Sequence, residues 1–296
     1  MKVLDLFSGI GGFSLGLERA GMETVAFCEF DKHAQLVLKK HWPNVPIHDD
    51  VRVLDGKQYR GSVDVVCGGF PCQDLSVAGK KAGFDGERSS LYREMLRIVS
   101  ECRPRYAIFE NVTGLLTGEQ GRWFAKFLYD LAAIGYDAEW HCISASELGA
   151  HHHRDRVWVI AYPNHDGQLA AEKRQSIFKG NDVSEKGTKS ASQSKGLSSE
   201  RLLSANANVQ RCERFATLSQ HIKQQIELVR SNQGKGERSN LSEPALCGAN
   251  DGLETWLDGN RRKLQRPERL KRLGNSVYWP IPAAIGRAIM ANENHQ

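Results

Sequence analysis

The sequence predicts an α/β protein built on a mostly parallel, buried sheet, with a smaller and less regular region set in before its last helix. Three observations carry that prediction. Short apolar runs rich in Val, Ile and Phe recur as KVLDLF, TVAFCEF, VDVVCGGF, RYAIFEN and RVWVIAY, as expected of strands covered on both faces. Most are separated by stretches of helical spacing, so the repeating unit is a strand followed by a helix. After Tyr162 the composition changes, and residues 179–200 are dominated by Ser, Lys and Gly, with too few apolar side chains to bury.

The first strand runs into DLFSGIGGFSLGLERAG. Gly9, Gly11 and Gly12 allow a loop there to approach a ligand closely, and Ser14, Leu15, Leu17 and Ala20 suit a helix ended by Gly21. A dinucleotide fingerprint would need glycine at position 14, where Ser14 stands, so a nicotinamide enzyme is disfavoured. The second strand ends in CEFD. Glu29 then lies at its carboxyl end, where an acidic group accepts hydrogen bonds from ribose hydroxyls, and Phe30 is placed to lie against an adenine ring. Taken singly, Glu29 reads more readily as a solvated strand-end charge, and so does Asp50 in IHDDVRV.

In CGGFPCQDLS two glycines and Pro71 force a turn just before Cys72, presenting the thiol at a strand end. A lone cysteine is more often a buried structural residue than a chemical one. The following SVAGKKAGFDGERSS has Gly79, Gly83 and Gly86 for mobility and Lys80, Lys81 and Arg88 for phosphates, with a solvated surface loop as the alternative. Leu91, Met95, Ile98 and Val99 mark a helix ended near Pro104. RYAIFENV puts Glu110 and Asn111 at the end of a buried strand, where desolvation raises a carboxyl pKa and suits it to donate a proton; a cap or a salt bridge is the alternative. HHHRDRVW invites a metal, but strand neighbours face opposite ways, so His152 could not join His151 and His153. In an open parallel sheet the carboxyl ends share one edge, on which Phe7 to Gly12, Glu29, Asp50, Cys72 and Glu110 converge.

A chain of 296 residues is long enough for a core domain and a smaller second one. Its 40 Lys and Arg against 35 Asp and Glu leave a net charge of +5, a weak pull towards polyanions. The bias is local: residues 166–240 hold 13 Lys and Arg against 8 Asp and Glu, a surplus equal to that of the whole chain. Within that stretch Phe215, Leu218, Ile222, Ile226 and Val229 fit one helical face. The segment VYWPIPAAIGRAIMAN carries Ile281, Ala284, Ile285, Ala288 and Ile289 on a stripe that suits a terminal helix docked on a core. The 7 cysteines form no C-x-x-C pair, which points to reduced thiols in a cytosol and argues against zinc. The first strand begins at residue 2 or 3, leaving no room for a targeting peptide, and no apolar run of about 18 residues exists to span a bilayer.

Seven segments, in order, resemble the DNA cytosine-5 methyltransferases of bacterial or phage type: DLFSGIGGFSLGLERAG, CEFD, GGFPCQDLS, SLYREMLRIV, ENVTGLL, HHHRDRVWVIAY and GNSV. The resemblance implies a Rossmann-like, S-adenosylmethionine-dependent catalytic domain over residues 1–162 and 271–296. A target-recognition region would occupy 163–270, with a flexible insertion near 179–200. It implies that Phe7, Gly9, Ile10, Gly11, Gly12, Glu29, Phe30, Asp50, Val51, Leu91 and Asn275 surround S-adenosylmethionine, the methyl donor that leaves as S-adenosylhomocysteine. Cys72 would attack cytosine C6, because C5 is too weak a nucleophile to be methylated unaided. Glu110 would protonate the ring, and Arg154 and Arg156 would lie near the base and the backbone. Gln73, Ser76, Lys80, Lys81 and Arg88 would contact DNA.

Double-stranded DNA and a cognate restriction endonuclease are the implied partners of a monomeric, cytoplasmic, metal-free enzyme. His152 stands where relatives commonly carry glutamine, and LSEPALCGANDGLETWLDGNRRKLQRPERLKRL departs from the family's recognition-domain pattern. A tRNA cytosine-5 methyltransferase is the nearest rival, disfavoured because no Cys-Phe-Thr segment occurs. A non-catalytic DNA-binding relative is disfavoured by intact Cys72 and Glu110, and a zinc base deaminase by the missing second cysteine of P-C-x-x-C.

Overall fold

The structure, a computed structural model, describes residues 1–71, 91–164, 217–231 and 276–294. Strand and helix alternate through β1 (Lys2–Leu6), α1 (Gly12–Arg19), β2 (Glu23–Cys28), α2 (Lys32–His41), β3 (Ile47–His48), β4 (Val65–Gly69), α3 (Leu91–Cys102) and β5 (Tyr106–Val112). A short α4 (Gly114–Thr117), α5 (Arg122–Ala133), β6 (Tyr136–Ser144) and β7 (Asp155–Pro163) follow. Two further helices follow, α6 (residues 217–231) and α7 (Pro280–Asn294), and short 3-10 turns lie at Gly56–Tyr59, Gly118–Gly121 and Ala145–Leu148.

The seven strands form one sheet in the order β3-β2-β1-β4-β5-β7-β6. The first five are mutually parallel, and β7 and β6 run antiparallel to their neighbours. The parallel strands are those that read as continuous apolar runs, and β1, β4 and most of β5 are buried. The strand β6 was not expected. Its sequence YDAEWHCIS places Asp137, Glu139 and His141 at alternate positions, which hides it from a search for apolar runs but suits an edge strand.

The side chains of β1 alternate between two cores. Leu4 and Leu6 join α3 and α5 through Met95, Val99, Phe124 and Phe127. Val3 faces the other layer, where Phe13 and Leu17 of α1 meet Trp158 and Ile160 of β7 and Ile281, Ile285 and Ile289 of α7. Leu218, Ile222 and Ile226 of α6 are buried in that same layer, and Val229 packs against it, on the face that the helical spacing predicts. Each such burial contributes about 1.5–3 kcal/mol, so α6 is held as an integral layer of the core.

Close approach of α7 to α1 depends on small residues. A side chain on Gly12 would come within 2.5 Å of the Val277 carbonyl oxygen, and one on Gly286 within 2.8 Å of the Ala20 methyl. Tyr106 and Arg105 both bond Glu293, the phenol at 2.8 Å, which pins the far end of α7 to β5. The expected helix boundaries hold: α1 gives way to Gly21 at φ +90, and α3 ends at Cys102 before Pro104. Residues 179–200 lie outside the described residues, as does Phe215.

Candidate active site

The carboxyl end of β1 leads into a loop whose backbone is unusual at three positions. Phe7, Gly9 and Gly11 have φ values of 54, 55 and 91. Only glycine occupies this region without strain, so Phe7 holds a strained conformation at the point where the chain leaves the sheet. The Ser8 hydroxyl donates to the Asp5 carbonyl at 2.7 Å, and Gly11 N–H donates to the Ser8 carbonyl at 2.9 Å. Below the loop the Asp5 carboxylate, fully buried, accepts from the Ser14 hydroxyl at 2.7 Å and the Ser14 amide at 3.3 Å. Burial pushes its pKa up to about 7.

Glu29 follows β2 and is partly buried rather than a solvated charge. Its two oxygens accept from Gly9 N–H at 2.6 Å and Asp31 N–H at 2.7 Å. It therefore joins the glycine loop to the start of α2, which Asp31 caps through His33 and Ala34. Burial raises its pKa against the lowering effect of those two amides. Phe30 beside it is 73% exposed. Asp50, past β3, is held by Arg52 at 2.6 and 3.0 Å, which lowers its pKa. Ile10 and Val51 have their side chains in the core, at 1% and 5% exposure, and Leu91 opens α3, half-buried.

The second cluster stands on β4, β5 and β7. Gly69 and Glu110 are register partners, and a side chain on Gly69 would lie 2.7 Å from Glu110 Oε2, so a larger residue there would push the carboxylate from its present place. Because β7 is antiparallel, its first residues lie beside the last residues of β5, with Val112 opposite Arg156. Arg156 Nε consequently reaches Glu110 Oε1 at 3.0 Å. The Glu110 side chain is 12% exposed, and burial raises its pKa while Arg156 and Arg154 draw it partly back. Arg154 is itself lowered, first by burial and then by Arg156.

Asn111, which the sequence marked only as Glu110's neighbour, has a role of its own. Buried at 3%, its amide donates to the Phe70 carbonyl at 3.1 Å, fixing the chain immediately before Pro71. A buried amide needs such a partner, so its place in a buried strand end was the available signal. Cys72, Gln73, Ser76, Lys80, Lys81, Arg88 and Asn275 lie outside the described residues.

The three histidines were expected on a strand with alternating faces. They precede β7 instead, in a loop, so the alternation argument does not apply to them. His152 meets Tyr278 edge to face with centroids 6.3 Å apart, and its pKa is lowered by partial burial and then by Arg154, His151 and Arg156. Tyr278 also donates to the Leu148 carbonyl at 3.1 Å. With Val277 against Gly12, the segment that follows Asn275 touches both the glycine loop and the histidine–arginine loop.

A glycine loop, strand-end acids and an arginine-paired glutamate thus share the carboxyl edge of one sheet. The profile of the C-5 cytosine-specific DNA methylase family matches residues 1–291. This chain belongs to that family. Among curated proteins it is similar to the type II methyltransferase M2.BsuMI of Bacillus subtilis, 39% identical over 165 residues covering 54% of this chain and 42% of the relative. It is also similar to the type II methyltransferase M.Eco47II of Escherichia coli, 40% identical over 165 residues covering 55% and 39%. The chain therefore matches less than half the length of these relatives. A solved structure of DNMT2 from Spodoptera frugiperda is 23% identical, with a TM-score of 0.47 over 55% of this chain and 50% of that one. Among the described residues no helix is long and apolar enough to cross a membrane.

Proposed function

We propose that this protein transfers a methyl group from S-adenosylmethionine to C5 of a cytosine in a specific double-stranded DNA sequence, through a covalent bond between Cys72 and C6. The observation that carries the proposal is the meeting of Glu110, Arg156 and the Gly69–Pro71 segment at one sheet edge. Cys72 follows that segment directly in sequence.

The residues present fit S-adenosylmethionine. Gly9 has no atom within 4 Å of the place where a side chain would start, so the loop presents open space there. Glu29 keeps lone pairs beyond its two backbone bonds, since each carboxylate oxygen accepts twice, and these would take ribose hydroxyls. The exposed Phe30 ring offers a stacking face. Asp50, Phe7 and Leu91 complete the proposed cradle, and Asn275 would close it from the C-terminal side. When bound, S-adenosylmethionine supplies an electrophilic methyl group.

In this mechanism the base is first rotated out of the duplex. The Cys72 thiolate bonds to C6, which moves electron density towards C5, and Glu110 donates a proton towards N3 so that charge does not build on the ring. Arg156 keeps Glu110 oriented, and with Arg154 it holds the base. After C5 is methylated its proton is lost to water, the sulfur–C6 bond breaks as the C5–C6 double bond re-forms, Cys72 leaves as thiolate and N3 returns its proton to Glu110.

Sequence choice is assigned to residues 163–270 outside α6, because α6 is committed to the core and the region holds the basic surplus. A partner restriction endonuclease and a cytoplasmic setting accompany this reading. Lys80, Lys81 and Arg88 would bind phosphates, while Gln73 and Ser76 would lie nearest the base.

Duplex DNA carrying 5-fluorocytosine tests the reading. The fluorine cannot leave as a proton, so the protein should remain bonded to DNA in a denaturing gel, and Cys72→Ala should show no adduct while still binding S-adenosylmethionine. Bisulfite sequencing of DNA from expressing cells should show one protected sequence context. Cofactor binding without adduct or protection would overturn the assignment.

A further inference from the structure

We propose that Trp42, which closes α2 and touches none of the proposed chemistry, is a positioning residue that holds the glycine loop in its cofactor-binding shape. The proposal rests on the reading of that loop as the S-adenosylmethionine cradle. Each of four successive residues, the last three of the loop and the first of α1, is fixed by its own neighbours in the fold. Gly9 N–H is bonded to Glu29. Ile10 is 1% exposed and packs with Ala34 and Val37 of α2. A side chain on Gly11 would come 2.5 and 2.7 Å from Cζ3 and Cη2 of the Trp42 ring, and one on Gly12 would come 2.5 Å from the Val277 oxygen. The two adjacent glycines are thus boxed in by an indole and a carbonyl.

The ring is anchored before it meets the loop. Its indole N–H donates to Glu18 Oε1 of α1 at 2.7 Å, its backbone N–H donates to the Leu38 carbonyl at 2.7 Å, and it meets Phe27 edge to face at 5.2 Å. Trp42 therefore ties α2 to α1 across the loop between β1 and α1. Gly11 needs the tie most. At φ 91 it is the residue with the widest choice of other conformations, and without the ring that choice returns to the cofactor-free state. The loop must then be ordered at the moment of binding, a cost that appears in affinity.

Calorimetric titration of the full chain with S-adenosylhomocysteine, together with steady-state methylation of genomic DNA, tests this. Trp42→Ala should bind about tenfold more weakly. Its KM for S-adenosylmethionine should rise in step while kcat at saturating cofactor changes by less than about twofold. Trp42→Phe, which keeps an aromatic ring but lacks the Cζ3 and Cη2 atoms that face Gly11, should recover part of that affinity, to about threefold below the original. Glu18→Ala, which removes the partner of the indole N–H but leaves the ring in place, should have the smallest effect, about twofold. A folded Trp42→Ala protein with unchanged affinity overturns the proposal, as does a loss confined to kcat. Should Trp42→Ala not fold, Glu18→Ala decides, and unchanged affinity in it has the same meaning. If the original protein itself fails to bind, the reading of the loop fails instead, and the two failures are distinguished.

Discussion

Glu29 and Glu110 are the same residue type near the carboxyl ends of two strands of one sheet, and burial raises the pKa of both. Their partners differ. Glu29 is met by two backbone N–H groups, Gly9 and Asp31, which fix its oxygens as acceptors and brace the loop. Glu110 is met by a guanidinium from an antiparallel neighbour, with its other oxygen over a glycine. Backbone amides cannot move away without unfolding the loop, whereas an arginine side chain can turn. Under the proposed function these identical carboxyls would take opposite tasks, Glu29 holding a ligand and Glu110 exchanging a proton.

The comparison breaks most sharply at Glu110. Glu110→Gln keeps the shape but cannot donate the same proton, so single-turnover methylation should slow by about 10²–10⁴-fold while S-adenosylhomocysteine still binds. Near-normal turnover would move the proton donor elsewhere. Glu29→Gln should give the reverse pattern. Cofactor affinity should fall by about tenfold, with much of the rate recovered at saturating cofactor, measured by titration and initial rates. If both variants lose rate and keep affinity, the division of tasks is wrong.

A third carboxyl, Asp5, sharpens the contrast because it meets no ligand in this scheme. Its pKa is raised from 3.8 to about 7 by burial. The folded protein then holds a proton that the unfolded chain releases at lower pH. The stability that this proton carries is full below the unfolded value and is lost as pH rises through about 7. Urea unfolding from pH 4 to 8 should therefore show stability falling by a few kcal/mol from this group, and Asp5→Asn should flatten that part of the curve. An unchanged slope in the variant would assign the pH dependence to other groups.

The strands β1, β4 and β5 were legible because a strand covered on both faces must be apolar along its length. Glu110 and the glycine loop stood out because acids and glycines at the ends of such strands have few structural reasons to be there. The edge strand β6 was not legible, since Glu139 and His141 mark one of its faces as polar. Trp42 was passed over because an aromatic residue after a helix reads as ordinary packing. Its role appears only with Gly11 against its ring, 31 positions earlier in the chain.

By itself the sequence determined the alternation of strand and helix and the chemical types gathered at one sheet edge, because these follow from local spacing and backbone preference. Only the tertiary structure decided that β7 runs antiparallel to β5, so that Arg156, opposite Val112, reaches Glu110 diagonally, and that α6 belongs to the core. The physical reason is that strand direction and layer contacts depend on side chains far apart in the chain meeting in one packed interior, and no local pattern records which of them meet.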